Sequence, residues 1–88
     1  MSVKVYLSSH VRSYTGGRSD VVAQGATLGE VLADLDRRYP GLRFRLVDEQ
    51  DHLRQHMNFY VGEEAAADLA HPVKPGDEVS ILGALSGG

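Results

Sequence analysis

Residues 27–41 read TLGEVLADLDRRYPG and hold the start, body and end of one amphipathic helix. Thr27-Leu28-Gly29-Glu30 matches a capping box: the Thr27 hydroxyl accepts from the Glu30 amide, and the Glu30 side chain reaches back to the Thr27 amide. Leu28, Val31, Leu32, Leu35 and Tyr39 follow at helical spacing and form one apolar stripe. Arg37 and Arg38 fall in the last turn, where cations complement the helix dipole. Pro40-Gly41 then stops the helix. A single stripe of this kind needs an apolar surface to cover it, and the flanking sequence supplies strands.

Upstream, Val3-Lys4-Val5-Tyr6-Leu7 alternates as a half-buried strand does. Val3, Val5 and Leu7 would face inward, and Lys4 and Tyr6 outward. Asp20-Val21-Val22-Ala23-Gln24 reads as a second strand. The two would form a hairpin whose loop runs from about Ser9 to Arg18, with a turn signal at Thr15-Gly16-Gly17. Downstream, Leu42 to His56 is mixed. Phe44, Leu46 and Val47 are apolar, so part of this stretch should pack, whereas Asp48-Glu49-Gln50-Asp51-His52 reads as an exposed loop. Asn58-Phe59-Tyr60-Val61 is a strand, followed by a turn at Gly62-Glu63-Glu64. Ala65 to Leu69 reads as a short edge segment or an irregular turn. Pro72 to Asp77 is a loop stiffened by its prolines, and Glu78-Val79-Ser80-Ile81-Leu82 is the last strand.

The order is therefore strand, strand, helix, strand, strand. One helix on one face of a mixed sheet satisfies it. With the last strand central and parallel to the first, the helix stripe would meet Val3, Val5, Leu7, Phe59, Val61, Val79 and Ile81. That arrangement is an α+β, β-grasp (ubiquitin-like) fold of four to five strands with one main helix. Residues 1–83 would form the domain and residues 84–88 a flexible tail.

The totals bound function. A chain of 88 residues fits one small domain. A net charge of −3 argues against non-specific nucleic-acid binding. No apolar stretch is long enough to span a bilayer, and no signal-peptide pattern opens the chain. No membrane partner is expected, and the cytoplasm is the expected location. With no cysteine, the chain can form neither a disulfide nor a thiolate nucleophile.

Other candidate sites are weak. His52 and His56 are spaced i, i+4, but their surroundings read as loop, so two solvated histidines are expected and no metal site. Asp48, Glu49 and Asp51 lack the glycine and terminal glutamate of a calcium loop. Gly16-Gly17-Arg18 lacks the strand-to-helix setting and lysine of a phosphate loop, so it is read as a hairpin turn. Ser8, Ser9 and His10 have no orienting carboxylate. The sequence closes on Ser86-Gly87-Gly88 directly after an apolar strand. Taken alone, that ending fits two readings. One is a frayed terminus. The other is a tail whose glycines, free of Cβ, can enter a narrow channel and present a carboxylate.

Three blocks, TLGEVLADLDRRYPGL, NFYVGEE and VKPGDEVSILGALSGG, together resemble the ThiS/MoaD sulfur-carrier family over nearly the whole chain. The similarity is strongest to the branches of cysteine biosynthesis and of the molybdopterin synthase small subunit. Many of the latter carry prolines before the tail, where this chain has Gly83-Ala84-Leu85-Ser86. The resemblance implies that Gly88 is adenylated and then thiocarboxylated, on a tail of Leu85, Ser86 and Gly87. It implies a ubiquitin-activating-like adenylyltransferase and a sulfur-accepting biosynthetic enzyme as partners. ATP and a sulfur donor would be used by the partner enzyme, with no cofactor bound here and no catalytic residue of the chain's own. Docking would use the sheet face opposite the helix, where alternation puts Tyr6, Asn58, Tyr60, Ser80 and Leu82. Tyr6, Tyr60 and Leu82 would form its apolar patch. Two alternatives remain beside this: a modifier conjugated to lysines of other proteins, and a ubiquitin-like domain that acts by binding alone.

Overall fold

Alternation sets the first strand, β1 (Val3–Leu7), whose inward side chains Val3, Val5 and Leu7 are buried. The computed structural model describes residues 2–9 and 11–83. After β1 the chain makes one 3₁₀ turn (Arg12–Thr15) and reverses at Gly16 and Gly17, both at positive φ. It returns as β2 (Asp20–Ala23), antiparallel to β1 with Val3 opposite Ala23. Helix α1 (Leu28–Arg38) follows, then a single helical turn α2 (Leu42–Leu46). The sheet is completed by β3 (Met57–Val61), the short β4 (Glu64–Ala65) and β5 (Glu78–Gly83).

The strand order is β2-β1-β5-β3-β4. β5 lies centrally, parallel to β1 and antiparallel to β3. The expected β-grasp is therefore present, with five strands. Leu28, Val31, Leu32 and Leu35 of α1 join Val5, Leu7, Phe59, Val79 and Ile81 of the sheet in one buried cluster. The stripe on α1 and the inward rows of the strands were the same surface seen from two sides.

The amides at the start of α1 show why it begins where it does. A helix leaves its first amides without intrahelical acceptors. Here Leu28 N donates to His71 O (2.9 Å) and Gly29 N to Leu69 O (2.9 Å), both from the loop that precedes β5. Glu30 N donates to Thr27 Oγ1 (3.2 Å). The other half of the expected capping box differs. The Glu30 carboxylate accepts from Ala26 N (2.7 Å), not from Thr27. Segment 26–28 is tied to 71–73 by Val73 N to Ala26 O and Leu28 N to His71 O, which leaves the Ala26 amide as the one facing Glu30.

The same close approach explains a glycine inside the helix. A Cβ on Gly29 would lie 3.2 Å from Leu69 Cβ. At Gly25 a Cβ would lie 2.6 Å from Val31 N, so that connection admits only glycine.

The middle segment packs in part, as expected, through Leu46 and Val47; residues 42–46, which the sequence left unassigned, are helical, and Phe44 does not pack. Leu42 and Leu46, one turn apart, are buried with Val47, which turns Phe44 outward to 66% exposure. The N-terminus of α2 is capped from outside its own sequence. Gly41 stands at its start with φ 96°, and Asp36 Oδ1 of α1 accepts from both Gly41 N and Arg43 N (3.1 Å each). The acidic loop is a turn as expected, with Asp48 Oδ1 accepting from Gln50 N and His52 N (2.9 Å each). The amide of His52 chiefly holds the Asp48 carboxyl below its usual value, with the Gln50 amide and the charges of His52 and Arg54 adding to it against partial burial.

Candidate functional site

The register builds the sheet face away from α1. Ser80 of β5 pairs with Tyr6 of β1 on one side and with Tyr60 of β3 on the other. Leu82, two residues on and on the same face, pairs with Asn58. The strands that carry Tyr6 and Tyr60 are two spacings apart, roughly 10 Å. Ser80, the smallest side chain of the three, lies between them, and Leu82 follows it along β5.

The expected patch residues are thus together on one face, but they are half-buried, not freely exposed. Arg12, from the 3₁₀ turn after β1, accounts for part of this. Its guanidinium lies 5.9 Å from the centre of the Tyr6 ring. Arg12 Nη2 donates to Tyr6 Oη (3.2 Å), and Nε donates to Leu7 O (3.0 Å). This face therefore carries a fixed positive charge beside Tyr6. On the other side, a groove of about 230 Å³ lies beside Tyr60, between β3 and residues 65–67.

Ser8 anchors the exit of β5. Leu7 pairs with Ile81, Ser8 N donates to Ile81 O (3.0 Å), and Ser8 Oγ accepts from Gly83 N (2.8 Å). The hydroxyl thus satisfies the last described amide of the strand and fixes the direction in which the chain leaves the sheet. Sequence reading missed both Ser8 and Arg12. Ser8 could have been found by extending the alternation of β1 one step past Leu7, since Lys4, Tyr6 and Ser8 share a face. Arg12 had no such signal, because only the 3₁₀ turn brings it back over Tyr6. Leu85, Ser86, Gly87 and Gly88, the expected tail and reactive terminus, lie outside the described residues.

The other candidates take plain structural roles. His52 and His56 sit in exposed turns, so their spacing does not place them on one helix face. Among the described residues, no group of three His, Cys, Asp or Glu side chains is placed to hold a metal ion. No described helix is long and apolar enough to cross a membrane. The buried carboxylate is Asp34 (5% exposed). It accepts from Gln24 N (2.9 Å) and pairs with Arg37 and, at 3.3 Å, with Arg38. Burial pushes its carboxyl up, but the Gln24 amide, the Arg37 hydrogen bond and the two arginine charges outweigh burial and hold it below the usual value. This carboxylate ties α1 to the end of β2 and lies on the helix side of the sheet.

Comparison with known proteins agrees with this geometry. The chain is 39% identical to the sulfur carrier protein CysO of Mycobacterium tuberculosis over 93 aligned positions that cover all of both chains. Among solved structures, a chain of the Amycolatopsis orientalis BexX/CysO complex superposes with a TM-score of 0.90 at 38% identity, covering 98% of this chain and 99% of that one. SAMP1 of Haloferax volcanii superposes with a TM-score of 0.84 at 28% identity, covering 100% of each. The ThiS family model matches residues 5–88. The fold, the central parallel β5 and the full-length match agree, and the chain belongs to the ThiS family.

Proposed function

We propose that this protein is a sulfur carrier of biosynthesis, with cysteine as the favoured product, and that the carboxylate of Gly88 is its working group. The observation that carries the reading is the full-length match to CysO at 39% identity. A free carboxylate is a poor acyl donor, because its charge repels nucleophiles and it has no good leaving group. In the proposed sequence, a partner adenylyltransferase lets the Gly88 carboxylate attack the α-phosphate of ATP, and pyrophosphate leaves. A sulfur nucleophile then attacks the acyl-adenylate carbonyl, AMP leaves, and a terminal thiocarboxylate remains. Its sulfur is passed to an acceptor bound by a second enzyme. The chain acts as a cosubstrate and supplies no catalytic side chain. ATP and the sulfur donor belong to the partners.

The described residues contribute position. Ser8 directs the exit of β5, so Leu85, Ser86 and Gly87 would carry Gly88 away from a fixed origin. The face of Tyr6, Ser80, Tyr60 and Leu82 is the docking surface in this reading, because aromatic and apolar groups gathered on one face suit a partner interface. Arg12 would add a cationic rim there.

ATP–pyrophosphate exchange with the activating enzyme tests the proposal. Exchange should depend on this protein and vanish when Gly87 and Gly88 are deleted. Exchange that survives the deletion would refute the role of the terminus. A second reading has support from the likeness to SAMP1, a small archaeal modifier protein: the same activated terminus joined to lysine amines. Conjugates of higher mass on blots, lost with the same deletion, would favour it.

A further inference from the structure

A second surface adjoins the groove beside Tyr60, because Arg54 lines both. Tyr14, Phe44, Arg45, Arg54 and His56 line a concavity of about 360 Å³. Phe44 is 66% exposed and Tyr14 40% exposed, which is unusual for two rings side by side in so small a chain. Neither ring is left loose. The guanidinium of Arg54 lies 4.9 Å from the centre of the Phe44 ring, and Arg54 Nε donates to Phe44 O (2.8 Å). Tyr14 rests against Gly41, where a Cβ would stand 3.5 Å from its ring. The aromatic pair is therefore held in place before anything binds it, which lowers the entropy cost of binding.

The charge of this concavity opposes that of the chain. The whole sequence carries −3, yet the lining holds Arg45, Arg54 and His56 and no carboxylate. Arg54 also lies near Asp48, which tempers its charge. Arg45 is exposed and has no hydrogen bond or ion pair among the described residues. The position adds to the case. β1 and β5 run parallel, and β3 runs against them with Met57 opposite Gly83. The 3₁₀ turn that follows β1 and His56 that precedes β3 thus lie at the end of the sheet where β5 leads out.

We infer that this concavity is a docking site for an acidic, aromatic-bearing segment of a partner protein, distinct from the face of Tyr6 and Ser80. Carboxylates of the segment meet Arg45 and the edge of Arg54, and its ring packs on Phe44 and Tyr14. A polyanion such as RNA is the weaker fit, because the basic cluster is small and the remaining surface is net negative.

The test is titration of the isotope-labelled full chain with a synthetic peptide of alternating glutamate and phenylalanine, followed by amide shifts. Shifts should centre on residues 14, 44, 45, 54 and 56, and binding should weaken as salt shortens the screening length. Arg45→Glu should weaken it about tenfold by setting like charges together, with an unchanged thermal melt. Phe44→Ala should weaken it as well, while a lysine–phenylalanine peptide should not shift these residues. Shifts confined to Tyr6 and Tyr60, affinity unmoved by Arg45→Glu, or tighter binding of an oligouridine than of the acidic peptide would each overturn the inference. No step uses the Gly88 chemistry, so a wild-type protein that fails to form a thiocarboxylate would end the carrier reading and leave this result as it stands.

Discussion

Replacing Asp34 separates two contributions that the structure places on one carboxylate. Asp34 is 5% exposed and accepts from Gln24 N at 2.9 Å while pairing with Arg37 and Arg38. In Asp34→Ala the Gln24 amide loses its acceptor, at a cost of about 1–2 kcal/mol. The two arginine side chains are 77% and 47% exposed, so each pair adds only about 0.3–0.5 kcal/mol. The sum is about 2 kcal/mol. In Asp34→Asn the side-chain carbonyl keeps the Gln24 hydrogen bond and loses the charge, so the cost falls to about 0.5–1 kcal/mol. A domain of this size loses about 4–8 °C per kcal/mol. Melting followed by circular dichroism at neutral pH should show Asp34→Ala about 10 °C or more below wild type, and Asp34→Asn about 5 °C below. The gap between wild type and Asp34→Asn should close in acid. The folded carboxyl is held below its unfolded value, so its contribution is complete above the unfolded pKa. It is lost as pH falls through the folded value. Equal melts for the two variants would refute the claim that the Gln24 hydrogen bond dominates. A gap that widens on acidification would refute the sign.

Three further outcomes are expected. Gly25→Ala should destabilise by about 3 kcal/mol, because the new Cβ meets the backbone of α1 and breaks its first turn, whereas Gly16→Ala, with open space but φ 67°, should cost about 1 kcal/mol; denaturant midpoints rank the two, and the reverse order would contradict the geometry. Leu32→Ala should cost about 2–5 kcal/mol by opening the fully buried core, read from the same midpoints. Ser80→Arg sets a long cation between Tyr6 and Tyr60, and should weaken binding of the proposed activating enzyme at least about tenfold with little change in melting temperature; unaltered affinity would move the docking face elsewhere.

The helix α1 was legible in the sequence because its cap, stripe and stop are all local, within residues 27–41. Most of the sheet was legible because β1, β2, β3 and β5 alternate, and the apolar rows of β1, β3 and β5 had to meet that one stripe, whereas the two exposed residues of β4 show no alternation. What escaped reading depends on groups far apart in sequence or on the turn of a short loop. The α2 turn is capped by Asp36 across a glycine, so no cap precedes it in its own sequence. Phe44 looked like a core residue by type, yet the one-turn spacing of Leu42 and Leu46 sends it outward. In the candidate site, Tyr6, Tyr60 and Leu82 followed from period-two alternation. Arg12 over Tyr6 did not, because a 3₁₀ turn sets its direction. Ser8 under Gly83 joins residues 75 apart in the chain and follows only once β1 and β5 are known to be parallel.

The chemistry of the terminus can be read from intact mass after incubation with the proposed activating enzyme, ATP and a sulfide source. A gain equal to the replacement of one oxygen by sulfur is expected, mapped to Gly88 and absent when Gly88 is deleted. An unchanged mass, with the same enzyme active on another carrier, would contradict it.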